Sequence, residues 1–182
     1  MNNPFEDGVK DAFNRLGHAT ILLVGRSGVG KSTLINVVFS GDLAETGQGR
    51  PVTKTAREYR KPPISLIDSR GLELSNYHDT LDDLRELVDL RRRSPDPNAH
   101  IHCAWICITD GSSRVEEAET KLAEMLDSHG VPVVGVVTKH VADNGFRAKV
   151  EELIPCARAV VSVRALESTL DDHPSIRLPP KG

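Results

Sequence analysis

Cysteine is scarce in this 182-residue chain, with Cys103, Cys107 and Cys156 the only three. An odd number at those spacings builds neither a disulfide framework nor a zinc site, which points to a reducing compartment and makes the cytoplasm the expected location. Aromatic residues are few as well, at 4%, so the core has to be assembled from Val, Ile, Leu and Ala within an apolar fraction of 38%. No run approaches the ~20 consecutive apolar residues of a membrane-spanning helix. The opening MNNPFEDGVKDAF has neither the basic nor the apolar region of a secretory leader. Positive charge is not in excess, the formal net charge being −3. Neither nucleic acid nor an anionic membrane is therefore indicated as a partner. A chain of this length suits one hydrophobic core.

What the chain does have is an alternation of apolar runs with helical patterns. Phe5, Val9, Phe13 and Leu16 recur at helical spacing, which predicts an amphipathic helix within residues 1–17, closed by Gly17. Residues 19–24, ATILLV, form the continuous apolar run of a strand buried on both faces of a parallel sheet. ISLID, IHCAWICIT, VPVVGVVT and ARAVVSV are further β-branched segments, separated by helical patterns over 77–93, 113–128 and 146–154. The alternation predicts a mostly parallel sheet covered by helices, spanning residues 18–166. REYR, ahead of Pro62 and Pro63, is expected to pair with ISLID as an antiparallel edge strand, because proline cannot donate into a central ladder. Residues 167–182 carry Pro174, Pro179 and Pro180 where such a domain needs one more covering helix, so this tail is expected to stop short of a final helix or further domain.

Gly25-Arg26-Ser27-Gly28-Val29-Gly30-Lys31-Ser32 matches G-x-x-x-x-G-K-[ST] and falls between a predicted strand and the helical KSTLINVVF. In that context the glycines let successive N–H groups turn inward as an anion nest, and the helix beginning near Thr33 presents its positive end to a β-phosphate. Lys31 supplies charge to the β and γ oxygens, and Ser32 a hydroxyl to Mg²⁺, which prefers oxygen ligands. At the end of ISLID stands Asp68-Ser69-Arg70-Gly71. Asp68 can reach the magnesium through a water, and Gly71 can offer a backbone N–H to the γ-phosphate where a side chain would obstruct. Between the two motifs, Gly47-Gln48-Gly49-Arg50-Pro51-Val52-Thr53-Lys54-Thr55 is polar and glycine-rich, as suits a loop ordered by a γ-phosphate. Thr53 is the candidate for a second magnesium hydroxyl; a plain surface loop leading into a strand is the other reading.

These motifs, followed by Thr138-Lys139 after one strand and Ser162-Val163-Arg164-Ala165 after the next, resemble the five G-motifs of small GTPases over residues 19 to about 166. GRSGVGKSTLINVVF, PVT and IDSRGLE look most like the Era/EngA/septin-like branch of the TRAFAC P-loop GTPases. The resemblance implies a Ras-like three-layer α/β/α domain with a sheet of about six strands. It also implies GTP and GDP as ligands, Mg²⁺ as cofactor, and hydrolysis of the β–γ bond by positioning and charge neutralisation, with Lys31, Thr53 and Gly71 in catalytic roles. Lys139 would pack along the base and Ala165 would offer an N–H to guanine O6. Two departures stand out. Val141 occupies the place of the usual base-reading aspartate, so Asp143 is the nearest carboxylate that could substitute. Leu72 occupies the place of the glutamine that orients water in Ras-like members. The catalytic group would then come from Glu73, Arg26, Arg70 or Arg114, from a homodimer neighbour or from an activating protein, with low intrinsic turnover. Gly28, where potassium-dependent members carry asparagine, lends no support to potassium activation. A non-hydrolysing nucleotide-dependent binding module and an ATPase remain the alternatives.

Other features have plainer readings. His100, His102, Cys103 and Cys107 alternate across a strand and cannot converge on a metal. Arg91-Arg92-Arg93 sits where the dipole of a helix favours cations.

Overall fold

The computed structural model describes residues 17–40, 49–110, 114–139 and 145–164, and the backbone of two short strands at 168–170 and 173–178. The expected helix ahead of Gly17 lies outside these residues, as do Gly47, Gln48, Val141, Asp143 and Ala165.

The predicted alternation forms a seven-stranded sheet in the order β2-β3-β4-β1-β5-β6-β7. Its strands are β1 (Ala19–Val24), β2 (Arg50–Pro51), β3 (Ala56–Lys61), β4 (Ile64–Ser69), β5 (Cys103–Thr109), β6 (Val133–Thr138) and β7 (Ala159–Ser162). Pairing is parallel from β4 through β1, β5 and β6 to β7, and antiparallel for β2 with β3 and β3 with β4. The strand beyond the expected six is β2, two residues inside the polar loop, where no apolar alternation marks a strand. It places β3, expected at the edge, one position inward, while Pro62 and Pro63 fall in the β3–β4 turn and out of the ladder as expected. Residues 168–170 and 173–178 pair as a separate antiparallel hairpin, β8–β9.

Four helices cover the sheet among the described residues: α1 (Lys31–Phe39), α2 (Tyr77–Arg92), α3 (Glu117–Ser128) and α4 (Phe146–Leu153). The continuous apolar runs divide by the two-residue period of a strand, which sends alternate side chains to opposite faces. Leu22 and Val24 of β1, Ile67 of β4 and Ile106 and Ile108 of β5 pack with α2, α3 and α4. Leu23, Leu66, Cys107 and Val136 face the other way, against Leu34, Ile35 and Phe39 of α1. The stripe of α2 is Leu81, Leu84, Leu87 and Val88, all buried. Truncating Leu84 to alanine there should cost about 2–5 kcal/mol.

The parallel strands share a direction, so their carboxyl ends lie at one pole. Leu23 stands beside Asp68, Val24 beside Ile106, and Thr109 beside Thr138. Chain order reverses at β1, which leads to β4 on one side and to β5 on the other, and a crevice at such a switch point is where open α/β sheets bind ligands.

Candidate functional site

The loop that leaves β1 is shaped by its glycines. Gly25, Gly28 and Gly30 hold φ of 144°, 77° and 103°. At Gly25 a Cβ would run into the carbonyl of Cys107, so β1 and β5 can only lie this close with glycine there. Gly30 caps α1 with no side-chain hydrogen bond and the first turn holds no acidic residue, so the positive end of the helix is not neutralised from within.

Lys31, only 8% exposed, folds back along this loop. Its Nζ donates to the carbonyls of Gly25 at 2.9 Å and Arg26 at 3.0 Å. Burial lowers its pKa, and the charge of Asp68 partly restores it. Asp68 shows the converse: burial raises its pKa and Lys31 opposes the rise. Its Oδ1 is buried and finds no hydrogen-bond donor among the described residues. A buried carboxylate oxygen with no donor is a costly arrangement that a hard cation would relieve. Thr53 lines the same cavity as Asp68, about 520 Å³ in volume, together with Lys54, Thr55 and Arg70. Ser32, in the first turn of α1, is exposed. The residues expected to hold a divalent cation thus offer oxygen atoms, one of which, Asp68 Oδ1, is buried and unpaired among the described residues, and they fit Mg²⁺ chemistry.

Beyond Asp68 the chain turns back onto the phosphate loop. The hydroxyl of Ser69 donates to Leu23 O at 2.9 Å, and Arg70 N donates to Thr55 O at 2.7 Å. At Gly71 a Cβ would stand 2.7 Å from Ser27 N, so the approach of the two loops requires glycine. Leu72 N then donates to Gly25 O at 3.2 Å, and the Leu72 side chain enters the core at 3% exposure. It points away from the site and cannot order a water. Glu73 instead reaches the loop, its carboxylate accepting from Ser27 N at 3.3 Å. Hydrogen bonds from Ser27 hold its pKa below the usual carboxylate value.

On the other flank, Thr138 at the end of β6 donates its hydroxyl to the carbonyls of Val29 and Ile108. Lys139, in left-handed backbone at φ 56°, extends its Nζ to Gly28 O at 3.0 Å. These two residues therefore buttress the phosphate loop, a role invisible in linear spacing. Arg164 is buried at the end of β7. Arg26 lies 3.5 Å from Glu116, and Arg114 lies 4.0 Å from the same carboxylate. Glu116 is also the N-cap of α3, in a reciprocal capping box with Glu119. The Glu-x-x-Glu spacing ahead of an apolar stripe could have signalled that cap. Two of the three candidate catalytic arginines, Arg26 and Arg114, are thereby drawn to Glu116. Arg70 remains exposed beside Thr53 and Asp68.

β5 begins at Cys103, so His100 and His102, expected on the strand, precede it. His102 Nδ1 accepts from Thr20 N, His100 Nε2 lies 2.8 Å from Ser94 O, and no cluster of three or more His, Cys, Asp or Glu placed to hold a metal occurs among the described residues. Cys107 is buried against Gly25 with its thiol pushed up to about 12, which makes it unreactive. Arg91, at the end of α2, pairs with Glu58 at 2.9 Å. No helix among the described residues is long and apolar enough to cross a membrane.

A phosphate loop on β1, an acidic strand end on β4 and a Thr-Lys pair on β6 define a P-loop nucleotide-binding domain of Ras-like architecture. The family model for the 50S ribosome-binding GTPase matches residues 20–139, well over half of the chain, and the chain belongs to that family of GTPases. It is 31% identical over 134 residues to GTPase Der of Rhizobium johnstonii, covering 70% of this chain and 27% of that protein. It is 41% identical over 90 residues to the small ribosomal subunit biogenesis GTPase RsgA of Pseudomonas putida, covering 44% and 26%. The chain thus spans about a quarter of the length of these curated relatives. Among solved structures, Toc33 from Arabidopsis thaliana in complex with Mg²⁺ and GMPPNP superposes with a TM-score of 0.59 at 17% identity, covering 93% of this chain and 80% of that one.

Proposed function

We propose that this domain binds GTP with Mg²⁺, hydrolyses it slowly, and works as a nucleotide-dependent switch in the cytoplasm. The carrying observation is a buried Lys31 within the field of Asp68, whose Oδ1 is left unsatisfied, at the mouth of a glycine-shaped loop. Backbone N–H groups of Gly28, Val29, Gly30 and Lys31, with those of Ser32 and Thr33 in the first turn of α1, would cradle the α and β phosphates. Lys31 would move from its carbonyl partners to the β and γ oxygens. Ser32 and Thr53 would hold the magnesium with Asp68 behind a water, and the ion supplies charge neutralisation for the phosphoryl oxygens. Gly71 would donate its N–H to the γ-phosphate. Lys139, Asp143, Arg164 and Ala165 would form the base side. Free thiols at Cys103, Cys107 and Cys156 fit a reducing compartment.

The slow rate rests on Leu72. With that side chain in the core, the attacking water has no glutamine to orient it, and a trans-acting group is worth roughly 10³–10⁵ in rate where one is supplied. A homodimer neighbour is the leading source. Dimerization is important for the GTPase activity of the chloroplast translocon components Toc33 and Toc159, whose fold this chain shares. An unidentified activating protein is the other. The test is turnover measured across protein concentration. The dilute domain should hydrolyse GTP at about 10⁻³ s⁻¹ or below. Specific activity should rise with concentration if a second copy supplies the group, and stay flat until an activator is added if it does not. Several turnovers per second from a dilute monomer would refute this account, whereas tight GTP binding with no hydrolysis under any condition would establish the non-hydrolysing alternative. Guanine rather than adenine nucleotide released on denaturation would exclude the ATPase reading.

A further inference from the structure

Glu73 is held on the phosphate loop by everything around it. Gly71 presses against Ser27, with room for no Cβ, and Leu72 is pinned by its N–H on Gly25 O and by its side chain in the core. The next residue is thereby aimed at Ser27. On its far side a short 3₁₀ turn begins at once, Asn76 N donating to Glu73 O at 3.1 Å. Between these two anchors the Glu73 carboxylate accepts from Ser27 N, close enough to Arg26 and Lys31 to feel their charge. It is a preorganised anion on a backbone donor of the nest.

The location matters because the γ end of a triphosphate belongs where the loop, Gly71 and the Asp68–Thr53 cavity meet. Glu73 sits on the loop side of that corner, on Ser27, against which Gly71 also packs. We infer that Glu73 determines the preference between triphosphate and diphosphate: its carboxylate competes with the γ-phosphate for Ser27 N–H and the Lys31 field. A diphosphate, ending at the β position over the α1 N-terminus, leaves Glu73 where it is. A triphosphate has to displace it, which breaks the Ser27 contact, and the pinned Leu72 passes the displacement to the 3₁₀ turn that leads into α2. The inference rests on the GTP-binding reading above and adds to it a residue outside the nucleotide-binding motifs.

The experiment measures GDP and GMPPNP affinities by calorimetry for the wild-type chain, Glu73→Gln and Glu73→Ala, with circular dichroism to verify folding. Removing an exposed, screened like charge should tighten GMPPNP about fivefold and leave GDP within twofold. The amide variant should reproduce the gain, because charge rather than size is removed. In ~1 M salt, where the screening length falls to about 3 Å, the difference should shrink. Equal shifts for both nucleotides would mean that Glu73 only fastens the loop, and would overturn the inference. So would unchanged affinities with a collapse of turnover, which would make Glu73 a water-positioning residue. A wild-type chain that binds neither nucleotide would instead bring down the GTP-binding reading itself.

Discussion

Replacing Asp68 by asparagine should make the metal-free protein more stable while removing its response to magnesium and triphosphate. The carboxylate is largely desolvated, its Oδ1 has no donor among the described residues, and burial raises its pKa. An unsatisfied buried polar group costs about 1–3 kcal/mol, and more when charged. Asparagine keeps the shape, removes the charge and brings a donor of its own. Against this gain stands the loss of the counter-charge for Lys31, which retains the carbonyls of Gly25 and Arg26 as partners. The balance is a net stabilisation of about 1 kcal/mol, which for a chain of this size raises the melting temperature by roughly 2–4 °C. Calorimetric scans in EDTA read that directly. The complementary arm adds Mg²⁺ and GMPPNP. At a ligand concentration of about 100 Kd the wild-type chain should gain about 2.7 kcal/mol by mass action, and Asp68→Asn should gain little. The pH dependence has a definite sign. A carboxyl whose folded pKa lies above its unfolded value binds more protons when folded, so metal-free stability from this group increases as pH falls from the raised pKa toward the ordinary carboxylate range. The asparagine variant should lack that component. Melting of Asp68→Asn below the wild-type chain in EDTA would refute the reasoning, because it would mean that the carboxylate is satisfied in the fold without a cation.

Three further outcomes are expected. Lys31→Ala should lower triphosphate affinity at least ~100-fold in calorimetry while the far-ultraviolet dichroism stays native, since a ligand-facing charge is lost from a folded loop; retained micromolar affinity would contradict it. Gly71→Ala should weaken GMPPNP more than GDP, because a Cβ 2.7 Å from Ser27 N forces the two loops apart at a cost of about 1–3 kcal/mol; equal losses in a competition assay would show that Gly71 does not face the γ-phosphate. Asp143→Asn should weaken GTP far more than xanthosine triphosphate, whose altered base edge suits an amide, and parallel losses would remove Asp143 from base reading.

Periodicity and motif spacing carried most of the architecture. Apolar runs bounded by turn residues located β1, β4, β5, β6 and β7, and the helical patterns located the four helices among the described residues, because both signals come from burial of one face or two. The helix expected from 113 begins at Glu117, where Glu116 and Glu119 close a capping box. β2 was not legible, since two polar-loop residues paired by one neighbouring strand leave no periodic trace. G-x-x-x-x-G-K-[ST] and D-x-x-G could be read as a phosphate and metal site because each works through residues adjacent in sequence: a nest of consecutive N–H groups, and a strand end followed by a close turn. What spacing could not contain is every contact between those segments. The burial of Lys31 on its own loop, the hydroxyl of Thr138 on Val29 O, the turning of Leu72 into the core and the seating of Glu73 on Ser27 all join residues more than four apart in the chain, and the same packing leaves Asp68 Oδ1 without a donor among the described residues. Local chemistry chose the motifs; only the closing of the parallel sheet, which brings the ends of β1, β4 and β6 to one pole, decided which donor faces which charge.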